Sequence, residues 1–362
     1  MRKIEKALLV FFNGKSNAGG AERMVLYLDE YLQSRGIKTE IIDEAHLLNS
    51  SVGKLFSKIF KYRHFSKRRP IYMARFTSAY LWIRKNRKWL TISNGESTPF
   101  FPVDVVINQG CYHAMELDYG RKDTTLSRVA KLQKRGSEIC GLMTTVTQKV
   151  KNDLLQYYQL DPQKIHLVAN RVDVSFFPPK PRPQRDYKLL VYVGRLEPGK
   201  GLANLLRVAK LIEKSKDWRL LIGSNNPNNA DLFRDFRNTS IKVGLHLDNI
   251  NDEAYSQADL VFFPSLSESF GMVTIEALAA GVPVVGTPVG ILKQMGESGF
   301  PGAHLFGEMP DDDILPYFDG IVSKFRNEVD RNELHRIIDE QFGIASYRAR
   351  LDEIIGKNFL QI

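Results

Sequence analysis

Residues 265–290, which read SLSESFGMVTIEALAAGVPVVGTPVG, constrain the fold of this chain more than any other stretch. The apolar residues 259–264 (DLVFFP) lead into it and predict a buried strand. Apolar residues then recur at helical spacing as far as Gly281, and residues 282–285 (VPVV) predict a second strand. An order of strand, turn, helix and strand predicts a parallel sheet covered by helices, which is an α/β fold.

The turn inside this stretch predicts a ligand site. Ligands of open α/β sheets bind at the carboxyl ends of strands, and the first N–H groups of a helix have no partner within that helix. The amides of Gly271 and Met272 are therefore expected to face an anion. Two carboxylates flank the turn, Glu268 in the loop and Glu276 on the helix. Their spacing alone favours a solvated loop glutamate and a glutamate near the positive end of the helix dipole.

Positive charge is concentrated in one segment of the first half. The 362-residue chain has a net charge of +10, and residues 45–95 hold twelve Lys or Arg without one Asp or Glu, so the remainder carries −2. Aromatic and aliphatic side chains are interleaved with these cations, a pattern typical of surfaces that bind anionic lipid. Nucleic acid would satisfy the same pattern, and so would an ordinary basic helical face.

Length and cysteine content bound the class of protein. A chain of this length suits two domains, each with a core of its own. The two cysteines, Cys111 and Cys140, make no disulfide framework, so a reducing cytoplasm is expected. No secretory signal peptide is recognised, and no apolar run reaches the roughly 18 residues that cross a bilayer.

Each half offers further candidate residues after its strands. In the first half, Gly19 and Gly20 follow the apolar strand of residues 7–12 and precede a helix, where glycines let the backbone approach a ligand closely. His113 follows a predicted inner strand, residues 103–108; a lone histidine there equally fits a surface loop. In the second half, Ser224 follows the predicted strand of residues 219–223.

The second half also contains a basic turn after the predicted strand of residues 188–193. The turn reads GRLEPGKG and holds Arg195 and Lys200. Arginine can hold phosphate oxygens in a planar fork and lysine adds a compact point charge, so the turn can bind phosphate. The turn lacks the Gly-x-x-x-x-Gly-Lys-Ser/Thr pattern of a P-loop. By itself it is equally an ordinary basic turn before a helix.

Taken together, SESFG, EA and GVPVV in residues 267–285, GRLEPGKG after residue 193 and GGAER at residues 19–23 resemble the signature of retaining glycosyltransferases of the large bacterial family four. The family usually has glycine where Arg171 stands, which is a departure from the pattern. The resemblance implies the GT-B fold, an α/β architecture with two Rossmann-like domains facing each other across a cleft. Residues 1–174 would bind the acceptor, residues 175–343 would bind the nucleotide sugar, and residues 344–362 would return as a helix to the first domain.

The resemblance also implies site residues. Arg195 and Lys200 would stabilise the leaving diphosphate, Glu268 would bind hydroxyls of the donor sugar, and His113 would position that sugar. Residues implied in donor binding are Gly19, Gly20, Ser224, Phe270, Gly271, Met272 and Glu276, the last through the ribose hydroxyls. No metal is expected, since the Asp311 to Asp313 run is better explained as a solvated helix start.

The implied function is retaining, metal-independent transfer of a sugar from a nucleotide diphosphate sugar, with a UDP-sugar favoured and no cofactor. The acceptor would be a glycan or a lipid-linked molecule in the synthesis of lipopolysaccharide or another surface polysaccharide. Residues 45–95 would hold the protein on the inner face of the cytoplasmic membrane, without a nucleic-acid partner. Two alternatives stay open: a nucleotide-sugar epimerase of the same fold, and a basic nucleic-acid-binding protein, which leaves Arg195, Lys200 and Glu268 without roles.

Overall fold

The computed structural model describes residues 3–12, 20–51, 54, 69–86, 88–118, 124–225 and 228–360. The chain divides into two compact units, residues 1–169 with 348–362, and residues 170–347. The sequence placed these divisions at residues 174 and 343. No helix within the described ranges is long and apolar enough to cross a membrane.

The first unit is built on a parallel sheet of six strands in the order β2-β1-β3-β4-β5-β6. Strand β1 is buried from Ala7 onwards because helices cover both faces of a parallel sheet, and this burial explains its continuous apolar sequence. The strands are β1 (Lys6–Val10), β2 (Lys38–Ile42), β3 (Trp89–Asn94), β4 (Val105–Asn108), β5 (Leu142–Thr145) and β6 (Ile165–Leu167).

Helices lie between most of these strands along the chain, as connections between parallel strands require. They are α1 (Gly20–Ser34), α2 (Glu44–Asn49), α3 (Arg69–Ile83), α4 (Tyr112–Asp118), α5 (Thr124–Ile139) and α6 (Gln148–Tyr158). Helix α6 begins and ends where the sequence predicts, because Thr147 Oγ1 accepts a hydrogen bond from Val150 N and Gln159 takes the left-handed conformation after the last turn.

The second unit contains another parallel six-stranded sheet, in the order β12-β11-β10-β7-β8-β9. Its strands are β7 (Lys188–Val193), β8 (Trp218–Gly223), β9 (Thr239–Lys242), β10 (Leu260–Phe263), β11 (Val284–Gly286) and β12 (Ala303–Leu305). Its helices are α7 (Leu202–Lys214), α8 (Ile250–Glu253), α9 (Met272–Ala279), α10 (Gly290–Glu297), α11 (Asp311–Glu328), α12 (Arg331–Phe342) and α13 (Ile344–Leu351).

The core of the second unit contains a cluster of aromatic side chains. Phe262 on β10 packs edge-on against Phe306, with ring centroids 5.3 Å apart, and it also contacts Phe318 on α11. Trp218 at the start of β8 is fully buried against the same helix. Helix α11 begins with the acidic residues Asp311 to Asp313, so the expected helix start is confirmed.

Residues 178–183 hold four prolines, which predict a linker, but they pack on the second unit. Asn251 Nδ2 donates to the carbonyl oxygen of Pro178 (3.1 Å), and Arg331 Nη1 donates to that of Lys180 (2.7 Å). The guanidinium of Arg182 lies over the Phe325 ring. Proline content predicted an extended segment, but not the side chains that hold it against the unit.

The carboxyl-terminal segment belongs to the first unit from Arg348 onwards. Helix α13 continues as π-helical turns over Asp352–Leu360, where the sequence predicts one helix to residue 359. Asp352 fixes these turns on α1, accepting a hydrogen bond from Tyr31 OH (2.8 Å) and pairing with Arg35.

Candidate functional site

Strand order places a ligand crevice in the second unit between β7 and β10. The chain runs from β7 to β9 in one direction along the sheet and from β10 to β12 in the other, while β7 and β10 are neighbours. Open α/β sheets bind ligands at such a reversal, beyond the carboxyl ends of the strands. Two loops flank it, residues 194–201 after β7 and residues 264–271 after β10, and both are stretches that the sequence singled out.

These two loops are joined directly. The backbone N–H of Leu266 donates to the carbonyl oxygen of Gly199 at 3.0 Å. Gly201 takes a φ of +77°, and a Cβ on it would lie 1.9 Å from the carbonyl oxygen of Pro264. Only glycine fits that conformation and that spacing. The close contact therefore fixes the basic turn against the acidic loop.

The contact brings two predicted residues together across the crevice. Lys200 Nζ lies 2.6 Å from Glu268 Oε1, and Ser265 Oγ donates to the same oxygen at 3.0 Å. Both charged side chains are largely shielded from solvent, so their attraction is stronger than that of an exposed pair. A cation and a carboxylate held this way can bind a phosphate and a hydroxyl group respectively.

Arg195 is held less tightly. Its side chain is 60% exposed and lies 3.2 Å from Glu197 Oε1. Its backbone is fixed instead, since Tyr192 OH donates to the Arg195 carbonyl oxygen at 2.7 Å. Burial, together with the charges of Glu268 and Glu197, raises the pKa of Tyr192 and keeps the phenol protonated as that donor. The guanidinium itself is exposed, and the ion pair with Glu197 is the contact it makes beside the crevice.

The start of helix α9 is shaped by two glycines. Gly271 precedes the helix with a φ of +87°. Gly290, the first residue of α10, has a φ of +56°, and a Cβ on it would lie 2.3 Å from the Phe270 carbonyl oxygen. The same oxygen accepts a hydrogen bond from Ile291 N at 2.7 Å. The first amides of α9, including Met272, therefore sit in a fixed backbone and can bind an anion.

Glu276 is on α9 as predicted but is buried, with 3% of the residue exposed. Its Oε2 accepts a hydrogen bond from Tyr255 OH at 3.0 Å. Ser224 is also buried, and its backbone N–H donates to the Lys242 carbonyl oxygen at 3.0 Å. Neither side chain is exposed to open solvent.

Sequence reasoning missed the residues that hold the other end of α9. Arg331 Nε donates to the Gly281 carbonyl oxygen (2.8 Å) and Nη2 to that of Ala280 (3.1 Å). His335 Nδ1 lies 2.7 Å from the Ala279 carbonyl oxygen. These contacts satisfy carbonyls that a helix end leaves open, and a cation there suits the helix dipole. Arg331 lies 50 residues beyond Gly281, so no local pattern indicates the pairing.

In the first unit, His113 is the second residue of α4, not a loop residue. Its ring lies against Tyr157, with centroids 4.9 Å apart. Gln133 on α5 holds the helix start, since its Oε1 accepts from Tyr112 N (3.0 Å) and its Nε2 donates to the Gly110 carbonyl oxygen (2.7 Å). Gly20 begins α1, and Gly19 lies outside the described residues.

The basic stretch of residues 45–95 is described only in part, since residues 52–53, 55–68 and 87 lie outside the described ranges. Two of its cations pair with carboxylates beyond the stretch: Arg84 with Glu40, and Lys88 with Glu5. The pairing holds the pKa of Glu40 down at about 2, against the opposing effect of burial. Counting charges within the stretch therefore overstates its free positive charge.

Apolar exposure accompanies these cations at the end of α3. Trp82 is 50% and Ile83 69% exposed, and Lys85 Nζ lies 4.6 Å from the centroid of the Trp82 ring. Trp82 Nε1 donates to the Phe100 carbonyl oxygen at 2.9 Å, which fixes the orientation of the ring. The described part of the stretch thus presents an aromatic side chain beside a cation, as interfacial surfaces do.

Two family models match the chain. Residues 173–315 match glycosyl transferases group 1, and residues 18–176 match Glycosyltransferase Family 4. The two matches fall on the two units. The match over residues 173–315 includes the loops of residues 194–201 and 264–271. The sequence resemblance to this family is thereby confirmed.

Among curated proteins, the chain is similar to the D-inositol 3-phosphate glycosyltransferase of Corynebacterium efficiens, with 32% identity over 187 residues. The alignment covers 45% of this chain and 44% of that protein, so the chain spans less than half the length of this relative.

Solved structures share the fold along nearly the whole chain. Sucrose-phosphate synthase from Thermosynechococcus elongatus matches with a TM-score of 0.76 and 15% identity, covering 99% of this chain and 100% of the other. Alr3699/HepE of Anabaena, in complex with UDP-glucose, matches with a TM-score of 0.66 and 13% identity, covering 97% and 99%. The two-unit α/β fold of the GT-B type is confirmed.

Proposed function

We propose that this chain, which belongs to the group 1 and family 4 glycosyltransferases, is a retaining enzyme. It transfers a sugar from a nucleotide diphosphate sugar to a hydroxyl acceptor and keeps the anomeric configuration. The observation that carries the proposal is the contact of Lys200 with Glu268 at the switch point of the second sheet. A cation for the leaving phosphate and a carboxylate for sugar hydroxyls are thereby placed side by side.

In this proposal the second unit binds the donor. Lys200 and the exposed guanidinium of Arg195 neutralise charge that develops on the leaving diphosphate, so they stabilise the transition state more than the ground state. Glu268 accepts hydrogen bonds from the donor sugar and stabilises positive charge that develops at its anomeric carbon. No metal is needed, because the two cations supply the charge that a divalent ion would otherwise bring.

The helix start completes the donor site. The amides of Phe270, Gly271 and Met272 bind the sugar or the phosphate, and the carboxylate of Glu276 accepts from the ribose hydroxyls. Ser224 contributes to phosphate binding from the next loop.

The first unit takes the acceptor in this account. His113 positions the donor sugar, and Gly19 and Gly20 contribute to donor binding. The start of α4 is fixed by Gln133, so the backbone that carries His113 is preorganised.

A UDP-sugar is the favoured donor, which agrees with the UDP-glucose bound by Alr3699/HepE. A thermal-shift screen of nucleoside diphosphates and their sugars tests the choice. A ligand at 100 times its dissociation constant adds about 2.7 kcal/mol to the free energy of unfolding. No stabilisation by any nucleotide or nucleotide sugar would contradict the donor role.

For the acceptor we propose a glycan or lipid-linked molecule of a surface polysaccharide such as lipopolysaccharide, handled on the inner face of the cytoplasmic membrane. The Corynebacterium relative is named for D-inositol 3-phosphate, so this polyol phosphate is the second acceptor to test. Transfer of labelled sugar to inositol phosphate, but not to membrane glycolipids, would favour the soluble acceptor.

Replacing Glu276 with Ala is expected to weaken nucleotide affinity by about tenfold or more, because two ribose hydroxyls lose a charged acceptor in a shielded site. Isothermal titration calorimetry with UDP measures the change. Tyr255→Phe is the matched control: it removes the internal donor to the same carboxylate and leaves the carboxylate in place. Unchanged affinity in Glu276→Ala, with affinity lost in Tyr255→Phe, would contradict the ribose role.

Binding to anionic lipid vesicles is expected at low salt and is expected to weaken as salt rises, since exposed charges are screened over about 10 Å at 0.1 M. Each cation that reaches the surface contributes about 1 kcal/mol. Vesicle co-sedimentation with anionic and neutral lipid measures this binding.

Trp82→Ala should reduce vesicle binding, because the exposed ring is lost from the interface. Leu232→Ala removes an equally exposed apolar side chain from the second unit and serves as the control. Equal sedimentation with anionic and neutral vesicles would remove the membrane role and leave a soluble acceptor.

A further inference from the structure

The carboxyl edge of the first sheet carries an acidic side chain that the proposed mechanism does not use. The chain runs from β1 to β2 in one direction and from β3 to β6 in the other, so this sheet reverses between the neighbouring strands β1 and β3. Ligands bind beside the loops that follow two such strands. Glu96 lies in the loop after β3, just beyond Asn94.

The loop that holds Glu96 is packed rigidly. Ser93 Oγ and Thr98 Oγ1 are 2.6 Å apart and close the loop over the end of the strand. A Cβ on Gly95 would lie 2.7 Å from Asn108 Oδ1, and a Cβ on Gly136 would lie 2.0 Å from the Gly95 carbonyl oxygen. This close approach of α5 to the loop fixes the backbone beside Glu96, as a preorganised site requires.

The carboxyl group itself has a neutral partner. Glu96 Oε1 accepts a hydrogen bond from Tyr112 OH at 3.1 Å, and Tyr112 is the residue before His113. Partial burial raises the pKa of Glu96, and no ion pair joins it to a cation within the described ranges. A shielded carboxyl without a counterion keeps hydrogen-bonding capacity for a neutral polar ligand.

We propose that Glu96, with the Tyr112 hydroxyl beside it, binds a hydroxyl group of the acceptor and selects ring polyols over water. The role rests on the proposed glycosyltransferase function, since it concerns the acceptor of that reaction. Sugar and cyclitol hydroxyls donate hydrogen bonds, and the carboxyl of Glu96 can accept from them while its Oε1 holds the phenol hydrogen of Tyr112. Water has no ring, so it cannot make the further contacts that a ring polyol makes.

The test is the division of donor sugar between two acceptors. Wild type and variants react with the nucleotide sugar that the wild type consumes, in the presence of concentrated myo-inositol or methyl glucoside. Mass spectrometry then gives the ratio of glycosylated polyol to free sugar, which does not depend on the amount of active enzyme. Glu96→Ala is expected to lower this ratio about tenfold, the scale of one hydrogen bond lost from a shielded site.

Two variants separate recognition from a structural role. Glu96→Gln retains the shape and a hydrogen-bonding group, so its ratio should stay close to the wild type. Glu138→Gln alters an exposed carboxylate on α5 and should leave the ratio unchanged. A purely structural Glu96 would lower the melting temperature of Glu96→Ala without changing the ratio.

The inference is overturned if Glu96→Ala gives the same ratio as the wild-type protein. It is also overturned if the wild-type protein transfers sugar to water alone. In both cases consumption of the donor still supports the glycosyltransferase proposal. A wild type that consumes no nucleotide sugar contradicts the proposed function itself, and the acceptor role falls with it.

Discussion

Lys200→Ala is expected to lower the turnover of sugar transfer on the order of 100-fold, the usual loss when one preorganised group that stabilises transition-state charge is removed. Lys200 Nζ is held 2.6 Å from Glu268 by the contact between two loops, so its position does not depend on the ligand. Truncation leaves Glu268 without its cation, and the departing diphosphate then faces a carboxylate whose charge is uncompensated.

Steady-state kinetics with saturating donor measures the effect, and circular dichroism verifies the fold. Lys324→Ala is the matched control, because Lys324 is an exposed lysine of the same unit in a loose ion pair with Glu328. The double variant with Glu268→Ala should lose less than the two single losses combined, since contacting residues are energetically coupled. Turnover near the wild-type value in Lys200→Ala would remove the lysine from the mechanism.

Gly201→Ala is expected to cost the second unit more than about 2 kcal/mol of unfolding free energy, because a non-glycine residue pays about 1–2 kcal/mol in the left-handed region before any clash is counted. The new Cβ would lie 1.9 Å from the Pro264 carbonyl oxygen, a backbone atom that cannot move without the 264–271 loop. Relief of the clash must separate Lys200 from Glu268, so transfer activity should fall as well.

The control is Gly320→Ala on α11. Nothing lies within 4 Å of a Cβ at Gly320. Alanine within a helix is favoured over glycine by about 0.5–1 kcal/mol, so this variant should be as stable as the wild type or slightly more stable. Thermal unfolding of both variants, with and without nucleotide, measures the change in stability. An unchanged melting temperature in Gly201→Ala would show that the two loops are not held by this contact.

The sequence predicted the ends of α9 well because their signals are local. Gly271 and Gly281 mark the two ends of α9, and both have positive φ, the conformation for which glycine is selected. The GRLEPGKG turn and the SES loop are each one continuous stretch, so the sequence alone identifies their residues. What the sequence could not provide was the hydrogen bond between Leu266 and Gly199 that joins them.

Long-range contacts explain the remaining differences. Arg331 and His335 cap α9 from a helix that lies 50 or more residues further along the chain. Tyr255 OH donates a hydrogen bond to the carboxylate of Glu276. Arg84 and Lys88 appeared as free cations because Glu40 and Glu5 lie outside the basic stretch. A surface loop was one alternative for His113, and no local signal indicated the seven-residue helix that Gln133 fixes there.

The central claim is that the chain transfers sugar from a nucleotide diphosphate sugar with retention and without a metal. Proton NMR of the reaction in excess EDTA tests it most directly, because the anomeric coupling of donor and product is read in one experiment. The account predicts release of the nucleoside diphosphate and a product with the donor's anomeric configuration, at the same rate with and without EDTA. An inverted product, activity that returns only when manganese is added, or interconversion of the free donor without an acceptor would contradict it.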